Sequence, residues 1–118
     1  MLSGAMLFVK DLPRMEAFYR DVLGLTPIEE TRHPDWIEFR QAGARFSLHA
    51  IPDEIARDMA ARPASPRAAD PAKLSFHVSD LPAATARIEA AGAQILLRPW
   101  GAIDAVDPEG NVIGLSTG

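Results

Sequence analysis

The side chains in this sequence best suited to moving a proton are His49, His77 and Glu38. Imidazole titrates near neutrality, and a carboxyl group in an aromatic pocket has a raised pKa, so the set could shift a proton on a carbonyl substrate. A plainer role stands beside this one. The histidines could be half-buried polar groups satisfied by Ser75, Ser47 or water. Glu38 could pair with Arg40 or Arg45 across a hairpin. Trp36, Trp100, Phe8 and Met6 could build an apolar cage that stacks a planar ligand or holds a cation, or could equally pack a core or a subunit interface. Lys73 suits a lid charge, an anion anchor or a solvated strand start. The chain has no cysteine, which removes thiolate nucleophiles, disulfides and Cys-ligated metals.

The elements that must position these residues are written twice. Phe8-Val9-Lys10-Asp11-Leu12-Pro13 recurs as His77-Val78-Ser79-Asp80-Leu81-Pro82, and each copy opens a helical pattern that a glycine closes, Gly24 or Gly92. Asp11 can cap the helix, and Pro13 sits early, where its missing amide costs nothing. Leu12, Met15, Phe18 or Tyr19, Val22 and Leu23 then recur at helical spacing. After an edge-like segment around Thr26 to Thr31, Trp36 to Arg40 and Arg45 to His49 alternate with period two around a turn at Gln41-Ala42-Gly43, which predicts a hairpin. Residues 52 to 72, with Pro52, Pro63, Pro66 and Pro71, read as a connector holding one short helix over residues 53 to 60. The second copy predicts a strand at 74 to 78, a helix through Leu81, Ala84, Ile88 and Ala91, and strands at 93 to 97, 101 to 106 and after Asp107-Pro108-Glu109-Gly110-Asn111.

Length and composition set the class. With 118 residues, 47% of them hydrophobic, the chain can bury one core, which neither half would comfortably do alone. A net charge of −4 argues against nucleic acid or an acidic membrane surface as partner. No apolar run approaches the roughly 20 residues that span a bilayer, and no leader pattern opens the chain, so a cytoplasmic location is expected.

The opening Val-x-Asp-Leu-Pro, the helix end Ala17 to Leu25 and the closing Asp107 to Ile113 resemble the glyoxalase, bleomycin resistance protein and extradiol dioxygenase superfamily, the vicinal oxygen chelate proteins. The resemblance implies an α+β fold: two βαβββ modules forming curled mixed sheets around a ligand cavity, in a single domain over 1–118. Module 1 covers about 1–51, the connector 52–72 and module 2 about 73–118. It also implies a homodimer. It is weak for chemistry, because relatives include isomerases, dioxygenases and proteins that only bind a drug.

Strand parity in such a sheet sends Leu7, Val9, Ile37, Phe39, Phe46, Leu48, Leu74, Phe76, Val78, Ile113 and Leu115 toward the helices. Met6, Phe8, Trp36, Glu38, Arg40, Ser47, His49, Lys73, Ser75 and His77 then face the ligand side. The resemblance places the superfamily's metal ligands at Gly4, Ser47, Lys73 and Gly114, none of which is a good donor. The expectation is therefore no bound metal and no cofactor. The resulting reading is a small-molecule-binding protein that sequesters or modifies an organic ligand, with His49, His77 and Glu38 as candidate catalytic groups. Met6, Phe8, Trp36, Arg40, Ser47, Lys73, Ser75 and Trp100 are its candidate ligand contacts. The competing reading is a metal-dependent lyase, isomerase or dioxygenase with a displaced His/Glu ligand set. Sliding the Arg45 to Ala50 match by two residues, which brings His49 onto a ligand position, would permit it.

Overall fold

The computed structural model describes residues 1–57 and 72–117. The chain divides into two compact units, Met1–Ala60 and Ala61–Gly118, and both follow the order of strand, helix and antiparallel strands written in the repeat. No helix among the described residues is long and apolar enough to cross a membrane.

In the first unit, strand β1 (Gly4–Val9) runs into helix α1 (Leu12–Ala17). Asp11 caps that helix by accepting the Arg14 N–H at 3.1 Å, satisfying a backbone donor that the first turn leaves open. The predicted helix does not stay α to its end. It widens into one π turn over Phe18–Val22, with the Leu23 N–H bonded to the Phe18 carbonyl, and adjacent Phe18 and Tyr19 are both buried. Gly24, at φ 89°, closes it. Strands β2 (Trp36–Phe39) and β3 (Arg45–Ala50) form the predicted hairpin, and β3 lies between β2 and a parallel β1. Helix α1 packs on β3, and the rings of Tyr19, Phe39 and Phe46 meet at centroid distances of 5.2 to 6.3 Å.

The edge-like segment at Thr26 to Thr31 is not a strand. Ile28 donates to the Glu38 carbonyl, Arg40 donates to the Thr26 carbonyl, and an isolated bridge joins Pro27 to Phe39. Pro27 has no N–H to give to a ladder, and residues Glu29–Thr31 turn away as a 3-10 helix. Among the described residues this unit therefore has three strands in its sheet. Helix α2 (Asp53–Ala56) starts where the short connector helix was expected. The rest of that helix, and the expected exposed connector from Pro63 to Pro71, lie outside the described residues.

The second unit has the full set: β4 (Leu74–His77), α3 (Leu81–Ala90), β5 (Ile95–Leu97), β6 (Ile103–Val106) and β7 (Val112–Ser116), in the sheet order β4-β7-β6-β5. Asp80 repeats the capping contact of Asp11, accepting the Ala83 N–H at 3.0 Å. The closing signature is a structural turn. The buried Asp107 carboxylate accepts the N–H groups of Glu109 and Asn111 at 3.0 and 2.9 Å and the Asn111 amide at 2.8 Å, while Gly110 takes the positive φ of 88°.

In both units the residues expected on the helix side are buried: Val9, Ile37, Phe39, Phe46, Leu48, Phe76, Val78, Ile113 and Leu115, with Leu7 and Leu74 half-buried on the edge strands β1 and β4. A strand cannot bury both faces against one helix. The opposite face of each sheet is therefore where ligand chemistry can sit.

Candidate functional site

In the first unit, register arranges the open face into rows of neighbouring side chains. Phe8 pairs with His49 and His49 with Trp36, so the three stand side by side across the sheet. One step along, Met6, Ser47 and Glu38 form the next row. Phe8 is 63% exposed and Met6 46%, large apolar side chains held out on a strand whose other face is core. The Phe8 and His49 rings lie 5.6 Å apart, and Trp36 stacks on His33 at 6.0 Å. The Trp36 indole Nε1 is buried without a hydrogen-bond partner among the described residues.

Two of the candidate proton carriers in this unit differ in readiness. His49 Nδ1 lies 2.9 Å from the Ala50 carbonyl. A carbonyl only accepts, so Nδ1 is the donor in this contact and Nε2 is the ring nitrogen left without that proton. Glu38 is already engaged, with Arg45 Nε at 3.2 Å and the Thr31 hydroxyl at 3.3 Å. Its partner is thus Arg45, one of the two pairings the hairpin allowed. Arg40 is exposed at the end of β2, and Ser47 is buried beneath the row.

The corresponding row of the second unit is Ser75, Gly114 and Asp104. Asp104 stands where Glu38 stands in the first unit, and its environment is far more charged. Lys73 Nζ contacts both carboxylate oxygens, at 3.0 and 3.2 Å, and Arg98 Nε donates at 2.8 Å. Burial pushes the Asp104 carboxyl up, but the hydrogen bonds from Arg98 and Lys73 outweigh it and hold it below the ordinary aspartate value. Arg98 Nη2 is buried with no partner among the described residues. His77 and Ser75 are exposed on the same face, His77 beside Ser116. His49 and His77 belong to different units. Trp100 is 66% exposed in the turn between β5 and β6, and register aligns Trp36 with Ala102 rather than with Trp100.

Asp104 and Arg98 were not among the residues singled out from the sequence. The signal was present in the repeat, where Ile37-Glu38 is echoed by Ile103-Asp104. Arg98 carried no such mark, because it lies past the end of β5.

The four positions expected to hold a metal can be tested for room and for donors. A Cβ at Gly4 would lie 2.9 Å from the Arg45 carbonyl oxygen, and one at Gly114 would lie 2.6 Å from the Ser75 hydroxyl. Neither place admits a ligating side chain without a shift. Lys73 brings a cation of its own, bonded to Asp104, and Ser47 is a poor donor. Among the described residues no three His, Asp or Glu side chains come together in a way that could hold a metal ion. These residues do not fit a metal at the superfamily's positions.

Away from the sheet face, Leu12, Pro13, Glu16, Arg32, His33 and Pro34 line a cleft of about 410 Å³. Glu16 is fixed there by Arg32, whose two terminal nitrogens each donate at 2.8 Å, with Arg20 adding a third contact at 3.1 Å. The Arg32 hydrogen bonds hold the Glu16 carboxyl below the ordinary value against the opposing effect of burial. This network ties α1 to the 3-10 turn and has the look of a structural clamp.

A family model of the Glyoxalase/Bleomycin resistance protein/Dioxygenase superfamily matches residues 2–115. The chain belongs to this superfamily. Among solved structures, it is similar to a superfamily enzyme from Burkholderia phytofirmans PsJN, at 23% identity over 96% of this chain and 94% of that one, with a TM-score of 0.67. It is also similar to the fosfomycin resistance protein FosX from Mesorhizobium loti, at 17% identity, 100% and 91% coverage and a TM-score of 0.68. TnmS3, an antibiotic-binding protein from Streptomyces sp. CB03234, matches at 22% identity, 98% and 93% coverage and a TM-score of 0.62. At these identities the likeness is one of fold. No protein of curated function matches the sequence. The α+β architecture is the one the resemblance implied, with the first unit one strand short of a βαβββ module among the described residues, and of the motif residues Asp11 serves as a cap while Gly24, Asp107 and Gly110 serve in turns.

Proposed function

We propose that this superfamily member binds a small organic molecule without a bound metal, using the open face of its first unit. The observation that carries the reading is the row Phe8, His49 and Trp36, where exposed aromatic surface adjoins a buried indole N–H that lacks an acceptor among the described residues. Burying such surface under a flat apolar ligand is favourable, and a ligand oxygen that reaches the indole N–H would accept its hydrogen bond. Met6 lies beside Phe8 on the same face, where a flexible thioether adapts to ligand shape. The names of FosX and TnmS3 make antibiotic-like molecules reasonable probes, whether the outcome is sequestration or modification.

Replacing Trp100 by Phe leaves Trp36 as the only tryptophan, so ligand binding can be read as a change in its fluorescence. Titration with 2-naphthol, a neutral planar probe, should quench Trp36 saturably, and adding Phe8→Ala should weaken the effect at least tenfold. An unresponsive Trp36, or an affinity unchanged by Phe8→Ala, would count against the reading.

A second reading, proton transfer, is favoured by the His49 contact to Ala50, which leaves Nε2 to act as base. Exchange of a bound ligand's α-proton that vanishes in His49→Ala would support it, with His77→Ala and Glu38→Gln as comparisons. The expected cytoplasmic homodimer belongs to the same proposal. A cysteine-free chain suits a reducing compartment, and exposed Phe8, Leu97 and Trp100 suit either ligand or a second copy. Sedimentation equilibrium checks the dimer.

A further inference from the structure

Among the described residues, the open face of the second unit carries a positive charge that its paired carboxylate does not balance. Asp104 supplies one negative charge to the ammonium of Lys73 and the guanidinium of Arg98, and both cations are largely withdrawn from water, with side chains 13% and 17% exposed. Arg98 spends Nε on Asp104, while its Nη2 is buried and has no partner among the described residues. A withheld guanidinium N–H is unfavourable, and an excess cation in a partly dry place is more so, until an acceptor with negative charge arrives. The Ser75 hydroxyl lies over Gly114, at the spot a side chain there would fill and close to Asp104, so a neutral donor stands beside the carboxylate that holds both cations. Gly114 keeps this corner free of side-chain bulk.

We infer that the Lys73–Asp104–Arg98 centre is an oxyanion site, taking a carboxylate, phosphonate or phosphate group of the ligand on Arg98 Nη2 and Lys73 Nζ, with the Ser75 hydroxyl as third donor. Arg presents a planar fork suited to such groups and Lys a point charge, so the pair accepts planar and tetrahedral anions alike. Asp104 acts as the positioning residue that holds both cations toward the sheet face. A chain whose residues leave no room for a metal at these positions would thus bring fixed cations of its own. The inference rests on the small-molecule role proposed above and adds the chemical class of the ligand.

The test is a titration of the 15N-labelled, full-length protein with methylphosphonate and, separately, with acetate, using dimethyl sulfone as a neutral control at constant ionic strength. The expected result is saturable shifts of the Ser75 and Gly114 amides and of the Arg98 side-chain Nε–H with at least one anion and none with the sulfone. Which anion saturates tells a tetrahedral from a planar group, and either supports the site. Arg98→Lys keeps the charge beside Asp104 but removes the fork, and should weaken binding about tenfold. Ser75→Ala, which leaves the ion pairs intact, should weaken it about threefold. Shifts that merely track added chloride, or an affinity indifferent to both substitutions, would overturn the proposal. The naphthol titration reads the first unit and this one the second. Anion binding without naphthol binding would remove the aromatic reading and leave this site, and the converse would remove only this site.

Discussion

Glu38 and Asp104 occupy the same place in their two units, each on the first strand of a hairpin (β2–β3 and β6–β7) and each in one row with a residue of the hairpin's second strand. Both are buried, yet they are held differently. Glu38 has one long contact to Arg45, a side chain 78% exposed, and a hydroxyl. Asp104 is gripped by two cations that are themselves withdrawn from water. Equivalent sheet positions have thus diverged into an aromatic face backed by a loosely held carboxylate and a charged centre built around a tightly held one. Shape was kept while the two faces took up different chemistry.

The sharpest way to break this comparison is to give the two carboxylates the same isosteric change. Asp104→Asn leaves two largely buried cations without their counter-charge and should destabilise the protein by about 3–5 kcal/mol in urea unfolding. Glu38→Gln should change stability by about 1 kcal/mol or less, because its cationic partner is solvated and screened. Equal losses would show that the units are not differently built. Between these extremes, Glu16→Gln should lower stability by about 1–3 kcal/mol by disrupting the Arg32 clamp.

Acid sharpens the same picture. Glu16 and Asp104 have folded-state pKa values below the ordinary 4.5 and 3.8, so the unfolded chain takes up their protons first. Their contribution is complete above those ordinary values and is lost as pH falls through the lower folded ones. Thermal unfolding midpoints should therefore drop as pH is lowered below that range, and the Glu16→Gln protein should show less of the drop. The smallest effect is expected at Phe8. Its ring is exposed, so Phe8→Ala should alter stability by about 0.5 kcal/mol or less while removing ligand affinity.

Period two was enough to sort nearly every strand residue to its proper face, because a strand backed by one helix has only two registers and one of them exposes the core. Asp11, Asp80, Gly24 and Gly110 were legible for a different reason: caps and turns are local and carry their own residue types. The π turn at Phe18–Val22 was not, since its apolar spacing matches an α-helix within the drift of a single turn. Pro27 did carry a warning that the edge segment would not complete a ladder. The charged centre was hidden by distance. Lys73 and Asp104 are 31 residues apart and meet only through the β4-β7-β6 order, which no local pattern encodes. An isolated Arg98 next to Pro99 and Trp100 reads as a turn until the sheet brings Asp104 beside it.

Metal content measured together with ligand affinity tests the central claim, that the binding faces work with the chain's own side chains in place of a chelated ion. Untagged protein purified without chelator should contain well under one equivalent of Zn, Ni, Fe or Mn by plasma mass spectrometry. Its affinity for 2-naphthol should then be unchanged when each of these ions is added. One tightly held equivalent per chain, with binding that is lost on its removal and restored on its return, would contradict the account.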